Sequence, residues 1–547
     1  MTFADKPFVE ALTGSLMLAV PEIALVGVAC LLFVQGMFIK ARGMNWMLAF
    51  GGLLFAAVLA AVVHPYESTA AGSPMIFSDS AKINQIYYEF LPTLGESLTT
   101  GELRTAAPIM PGSFATFIRW LTLGAGLILV LLATKEASHG IAGEYYACLL
   151  IALAGTSLVA RANDLVTVFL ALEMISIPTY VLLYLPNRGA IGQEAALKYF
   201  LLSILSSGIM LFGLSYLYGL AGTTNVTALV DTFSDAHRGG ASPLAVLAMV
   251  LVIAGLAFRI TAVPFHYYAP DVYQGGPTAV VAELAVLPKI AGFVVLARLL
   301  GFTTLPVDDL PFPDSTQIPL MLWVLAAVTM TVGNVMALIQ ENLKRTLAYS
   351  GIAHAGYMLL GLLAAGADTA SPVPYVTGLD AILVYLVGYA LMTLGVFAVI
   401  IYLNTATRTT ETVDDLAGVG RTNPVAAACL AVCLLSLIGL PLTAGFVGKL
   451  LLFYSLFDVP TTAGLGVMYR VLVAIAALNA AIGAVYYLRL LGVAYLRTPL
   501  NPEAKAKGTG PLLAAILCAV GTLALGVPPL ARMIVDTARV ATPANAK

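Results

Sequence analysis

Arg259-Ile-Thr-Ala-Val-Pro264-Phe-His266 and Leu437-Ile-Gly439-Leu-Pro441-Leu-Thr-Ala-Gly445-Phe-Val-Gly448-Lys449 are the two stretches that decide the fold. Each sets a proline inside an apolar run with a cation close by. Proline removes a backbone hydrogen bond and clashes with the preceding turn, so a helix through either stretch is interrupted. In lipid, the freed carbonyls must meet protein or water. The stretches lie roughly five apolar runs apart. Pro-interrupted helices at matching positions of two halves point to a repeated architecture with its site at mid-membrane. Ordinary proline kinks, common in membrane helices, are the plainer alternative.

The rest of the chain agrees with a membrane setting. Of its 547 residues, 60% are hydrophobic and only 10% charged, and the mean hydropathy is +0.93. A soluble domain needs about 25% charged residues to cover its surface. About fourteen apolar runs follow one another, from 16–39 to 511–531, and roughly 20 residues suffice to cross a bilayer. A spanning barrel would show short alternating segments instead. The expected fold is an all-α polytopic membrane protein of about 14 transmembrane helices, or thirteen if one weak run does not cross. The longest connection, 64–113, and the loops at 220–242 and 302–316 are acid-rich. Lys135, Lys344, Arg345, Arg421 and Arg497 lie in connections on the other side, which the positive-inside rule makes cytoplasmic.

Several function classes are excluded. The net charge is −2 with no basic block, so nucleic-acid binding has no support. The five cysteines, Cys30, Cys148, Cys429, Cys433 and Cys518, all lie in apolar runs and read as small packed hydrophobes. Cys429 and Cys433 are a helical turn apart with no further Cys or His nearby, which gives no metal or iron–sulfur pattern. Gly448-Lys449 lacks the rest of a phosphate loop, and Gly418-x-Gly420 lacks its third glycine.

What remains is charge inside apolar runs: Glu173, Lys198, Arg259, Lys289 and Lys449. Each costs roughly 2.5–3.5 kcal/mol at the centre of a membrane helix, and charges retained there usually line an ion or proton pathway. A carboxylate such as Glu173 beside a lysine can exchange a proton when its surroundings change, although a static ion pair that fixes helix packing is equally simple. Lys198 sits early in its run and can snorkel to the interface. Lys289, after Pro288, and Lys449, beyond the Pro441 break, lie too deep for that. Arg259 differs, because guanidinium does not lose its proton in proteins. It biases neighbours and carries no proton. Glu283 is a sixth such charge. It does not share a helix face with Lys289, and the expectation is that it meets Arg259 across helices. Glu22, His266 and His354 are auxiliary candidates, the histidines as relays near neutral pH.

The run Asn342-Leu-Lys-Arg-Thr-Leu-Ala-Tyr-Ser350-Gly-Ile-Ala-His354-Ala-Gly356-Tyr resembles the signature of the antiporter-like membrane subunits of respiratory complex I and of multisubunit cation/proton antiporters. Ala262-Val-Pro-Phe-His266, Ala269-Pro-Asp271-Val-Tyr-Gln-Gly275 and Thr443-Ala-Gly-Phe-Val-Gly-Lys449 match that family too. The resemblance runs through about residues 145–495. Leu172-Glu173-Met-Ile-Ser-Ile-Pro-Thr-Tyr-Val is most similar to its N-type branch, since the M and L types usually carry Trp before that Glu and M usually has Glu in place of Lys449.

The resemblance implies two inverted five-helix repeats, each with a broken helix, at 144–301 (helices 4–8) and 317–497 (helices 9–13). They are flanked by 1–143 with helices 1–3 and by 498–547 with helix 14. It implies a hydrated axis on which Glu173 pairs with a lysine, Lys198 follows, Lys289 is the central relay and Lys449 the exit-side group. Arg259 stands where a lysine is usual and Glu283 where an apolar residue is usual, which leaves the titrating partner of Glu173 open. It further implies a proton-translocating, non-redox subunit in the bacterial cytoplasmic (inner) membrane, among other membrane subunits and lipid. This chain would carry no cofactor; FMN, iron–sulfur clusters and quinone would sit in partner subunits. A subunit of a cation/proton antiporter and a non-transporting scaffold are the alternatives.

Overall fold

The computed structural model describes residues 15–38, 42–71, 108–137, 140–186, 189–237, 242–301, 317–365, 376–405, 409–460, 466–499 and 508–541. The loop at 302–316 and most of the acidic connection at 64–113 lie outside these residues.

Three helices come first: α1 (Val20–Phe38), α2 (Arg42–Ala71) and α3 (Ser113–Glu136). The first five-helix unit contains α4 (Ala142–Val159), α5 (Leu165–Tyr184), α6 (Ala190–Ala221), a short α7 (Val226–His237), the interrupted pair α8 (Pro243–Arg259) and α9 (Ala269–Gly275), and α10 (Thr278–Leu299). The second contains α11 (Gln317–Leu338), α12 (Leu343–Ala365), α13 (Gly378–Leu403), the interrupted pair α14 (Pro424–Ile438) and α15 (Ala444–Phe457), and α16 (Gly466–Leu496). Last come α17 (Thr509–Ala524) and α18 (Pro528–Ala541).

Among the described residues, eleven helices are long and apolar enough to cross a membrane, or twelve if α17 and α18 form one bent span. The expectation of about fourteen crossings therefore holds approximately, once each interrupted pair is taken as a crossing. A unit with an odd number of crossings leaves the next unit inverted. A small contact repeats in both units. Asp164, at the start of α5, forms an antiparallel bridge to Asn225, just past α6. Asn342, at the start of α12, forms the same bridge to Thr412, just past α13. Both side chains also cap their helices: Asp164 Oδ1 accepts from the Val166 and Thr167 amides, and Asn342 Oδ1 from the Arg345 amide.

Membrane helices gain little from hydrophobicity against one another, so close approach through small residues holds them. Gly333 on α11 and Gly356 on α12 face the partner backbone. A Cβ at either would lie 2.6 Å from the Ala353 nitrogen or 2.7 Å from the Met330 nitrogen. α10 and α12 are covered on all sides and form the centre of the molecule.

Two expectations differ from what is observed. The loop at 220–242 contains the amphipathic α7, whose first turn is capped by Asn225 Oδ1 accepting from the Ala228 amide. The last apolar run does not continue through 511–531. α17 ends at Ala524, and α18 leaves at 89°, because Gly526 is tucked under the Leu442 carbonyl and Pro528 and Pro529 cannot extend the preceding ladder. Of the cysteines, Cys30 is exposed on α1, while the other four are buried.

Candidate functional site

Both interruptions are real, and each creates polar geometry. After Arg259 the helix unwinds: Thr261 takes φ 60°, Val263–Pro264 is cis, and the Ala262 amide reaches back to the Ala257 carbonyl at 2.8 Å. The Val263 amide is satisfied by Thr329 Oγ1 of the second unit at 3.1 Å. In the second unit Gly439 (φ 93°) and Leu442 (φ 67°) carry the turn. The last carbonyls of α14, which have no helical partner, are taken by a side chain: Lys449 Nζ donates to Leu437 and Ile438 oxygens, both at 2.9 Å. A cation there also meets the negative end of the helix dipole.

Glu173 pairs with Arg259. Arg259 Nη2 donates to Glu173 Oε1 at 2.9 Å, and Ser207 Oγ donates to the same oxygen at 2.6 Å. Arg259 Nη1 donates to Ser176 Oγ at 2.6 Å and to the Leu172 carbonyl at 3.1 Å. The guanidinium is 5% exposed and the carboxylate 18%. The expected contact of Arg259 with Glu283 is absent. The guanidinium is committed to α5, and Glu283 has a single hydrogen-bond contact, Thr179 Oγ1 at 3.4 Å.

Lys289 is on α10, which packs against α8, the helix that ends in Arg259. A Cβ on Gly292, one turn along α10, would lie 3.7 Å from Arg259 Cβ. Lys289 Nζ donates to Tyr389 Oη at 3.1 Å and sits 5.3 Å from that ring's centre. The Tyr389 ring stands 5.4 Å from the ring of His354. His354 contacts two hydroxyls, Tyr385 through Nδ1 at 2.5 Å and Tyr487 through Nε2 at 3.1 Å. Ser350 Oγ bonds the Tyr487 hydroxyl. Tyr357 lies 5.8 Å from His354, ring to ring, and on its other side Lys449 Nζ is 5.0 Å from the ring centre. Lys289, His354 and Lys449 thus form one line joined by a band of tyrosines, and the Glu173–Arg259 pair lies on α5 and α8, which pack against α10.

Three expected residues lie elsewhere. Lys198 is not buried: its side chain is 39% exposed, 2.6 Å from Asp271 and 2.8 Å from Glu194. It lies nine residues before Ser207, about 13 Å along the helix at 1.5 Å per residue. The snorkelling alternative describes it better. Its partner Asp271 also accepts from Arg345 at 2.6 Å and so ties α6, α9 and α12 together. Glu22 belongs to a separate buried cluster with Arg119, which grips it through two 2.8 Å hydrogen bonds, and Ser157 at 2.5 Å. His266 is half-buried on the unwound stretch. Among the described residues, no three His, Cys, Asp or Glu side chains gather as a metal would require.

A family model described as NADH:quinone oxidoreductase/Mrp antiporter, TM, matches residues 162–475. NADH-quinone oxidoreductase subunit N 1 of Solibacter usitatus (strain Ellin6076) is 39% identical over 77% of this chain and 82% of its own length. The chain belongs to the NADH-quinone oxidoreductase subunit N family. Another member of the subunit N family, from Geobacillus kaustophilus (strain HTA426), is 38% identical over 76% of this chain and 81% of its own length. A chain of respiratory complex I from Thermus thermophilus with bound aureothin superposes with a TM-score of 0.70. It is 28% identical and covers 94% of this chain and 98% of its own. A chain of the Mrp complex from Dietzia sp. DQ12-45-1b shares the fold, with a TM-score of 0.75 at 19% identity over 97% of each chain.

Within this subunit N family member, the tyrosine band went unforeseen. The signal was present as spacing: Ser350, His354 and Tyr357 fall at i, i+4 and i+7, and Tyr385 and Tyr389 at i and i+4, each set on one helix face.

Proposed function

We propose that this chain is a proton-translocating membrane subunit of an NADH–quinone oxidoreductase, with Glu173, Arg259, Lys289, His354 and Lys449 as its path. The carrying observation is the line of contacts from Lys289 through the tyrosines around His354 to Lys449, with the Glu173–Arg259 pair on helices packed against that of Lys289. Division into the units 144–301 and 317–497 gives each half one interrupted helix and one end of that line. Electron transfer, with its FMN, iron–sulfur clusters and quinone, belongs to partner subunits in this reading.

The chemistry follows from charge. When the pair is closed, Glu173 neutralises Arg259. When quinone reduction in partner subunits opens the pair, the guanidinium on α8 loses its counter-charge and repels the ammonium of Lys289 on α10. Such repulsion falls inversely with separation, and about 1.4 kcal/mol of it is a tenfold bias. The Lys289 proton leaves toward Tyr389 and His354, and the hydroxyls of Tyr385 and Tyr487 supply donors and acceptors on both imidazole nitrogens. Lys449 is the last carrier. Arg259 stays charged throughout, as a fixed lever.

The test uses the intact complex in sealed vesicles. Lys289→Ala and Lys449→Ala should retain NADH oxidation in the presence of an uncoupler and lose NADH-driven proton movement. Assembled variants that pump as before would make the chain a scaffold. A purified native assembly that exchanges sodium for protons without oxidising NADH would place it in an antiporter.

A further inference from the structure

Glu283 is a buried charge-bearing group that the line above does not use. It is 1% exposed in the second turn of α10, and its Oε2 has no hydrogen-bond partner. Its Oε1 has only Thr179 Oγ1, at 3.4 Å. That hydroxyl has one proton, and the Ile175 carbonyl claims it at 2.7 Å. Thr179 Oγ1 is then free to accept. Glu283 satisfies the contact as a neutral acid whose O–H is given to Thr179. As a carboxylate it would be a buried anion with no donor and no cation.

Its surroundings connect two places. On one side α10 packs against α4, which carries Tyr145 and Cys148, and against α3, which ends in Glu136. Glu136 ends α3 and caps α10, accepting from the Thr278 and Ala279 amides at 3.1 and 2.8 Å. That end of α10 is the lysine- and arginine-rich side: Lys344 Nζ donates to the Gly276 carbonyl at 2.9 Å. In the other direction, α10 packs against α5 and α8, which carry Glu173 and Arg259. On α5, Thr179 lies one turn beyond Ser176, which accepts from Arg259, so the two hydroxyls share a face. Glu283 therefore stands between the cytoplasmic end of α10 and the Glu173–Arg259 pair.

We propose that Glu283 is a proton-loading carboxylic acid, placed to take up cytoplasmic protons and hand them toward the pair and Lys289. This rests on the translocation reading above. It supplies the titrating carrier that the Glu173 pair lacks, because its cation is an arginine. The O–H bond of Glu283 breaks as the proton moves to the Thr179–Ser176 hydroxyl face, and it re-forms with a proton from the Glu136 side. Nothing is oxidised or reduced.

The experiment compares Glu283→Gln, Glu283→Asp and Lys289→Ala in the intact complex, measuring protons moved per NADH oxidised and the infrared band of protonated carboxyl groups. Glu283→Gln is nearly isosteric and should assemble with NADH oxidation intact. It should lose the carboxyl band assigned to Glu283 and lower protons per NADH to the level of Lys289→Ala, and Glu283→Asp should restore part of both. Wild-type coupling in Glu283→Gln, with coupling lost in Lys289→Ala, would overturn this proposal alone. Wild-type coupling in both would overturn the translocation reading as well. An unchanged band in Glu283→Gln would mean that Glu283 is ionised at rest, which also refutes the proposal. If Glu283→Gln fails to assemble but Glu283→Asp assembles and pumps with no protonated-carboxyl band of its own, the proposal fails too.

Discussion

Gly351→Ala tests the join between the two halves of the line with a single methyl group. Gly351 on α12 leaves room for the Lys289 head. A Cβ there would lie 2.8 Å from Lys289 Nζ and 3.1 Å from Tyr389 Oη. The atom struck is the end of a flexible chain, so the helices need not move and the fold should tolerate the change. The ammonium must step away, and its hydrogen bond to Tyr389 is lost. A hydrogen bond from a charged donor contributes about 1.5–3 kcal/mol. At about 1.4 kcal/mol per factor of ten, the Lys289 step should slow roughly 10- to 100-fold. The assay is NADH-driven proton movement in sealed vesicles, read with a pH-sensitive dye beside uncoupled NADH oxidation. Gly351→Ala should assemble at wild-type abundance, oxidise NADH normally when uncoupled, and move far fewer protons per NADH. Gly208→Ala on α6, where a Cβ meets nothing within 4 Å, is the control and should behave as wild type. The reasoning is refuted if Gly351→Ala keeps full coupling while Lys289→Ala loses it.

Lys449→Arg should keep the α14 carbonyls capped and the complex assembled, yet abolish pumping, since guanidinium does not give up its proton; restored pumping would make Lys449 a structural cap only. Lys449→Met removes the cap as well, and a drop in subunit abundance should accompany the loss of pumping. His354→Phe keeps ring volume and removes both nitrogens between Tyr385 and Tyr487, and coupling should fall with NADH oxidation intact; proton-to-NADH ratios decide it. Arg119→Ala leaves Glu22 buried without its paired cation, which costs about 3–5 kcal/mol in comparable buried pairs, so the thermal midpoint of the purified complex should fall, and an unchanged midpoint would show that Glu22 reaches another partner.

The interruptions were legible because Pro264, and Pro441 with Gly439 and Gly445, are local signals, and the cations beside them stand out against an apolar background. Glu173, Arg259, Lys289 and Lys449 could therefore be singled out as charges inside apolar runs from the sequence alone. Their partners were less legible. Lys198 already stood apart by its early place in its run and by Glu194 one turn before it, but only the fold brings Asp271 to it. The placement of Glu283 opposite Arg259 went wrong for a related reason. Adjacent helices bearing opposite charges are a fair pairing rule, but Glu173, Ser176 and the Leu172 carbonyl on α5, with Ser207 on α6, already engage both terminal nitrogens of that guanidinium. Arg119 sat in an apolar run without being noticed, since nothing in the sequence ties it to Glu22, 97 residues away.

The seat of Lys449 has a property that the other charged groups lack. A protonated amine offers three donors, and a neutral one offers two donors and a lone pair. Two carbonyls, Leu437 and Ile438, meet Nζ at equal distance. The same two bonds therefore survive loss of the proton, with the lone pair turned away from the helix end. The side chain can cycle between its two forms without changing rotamer, so in the proposed path the far end is a stationary port. The moving part in that reading is at the other end, where a salt bridge has to come apart.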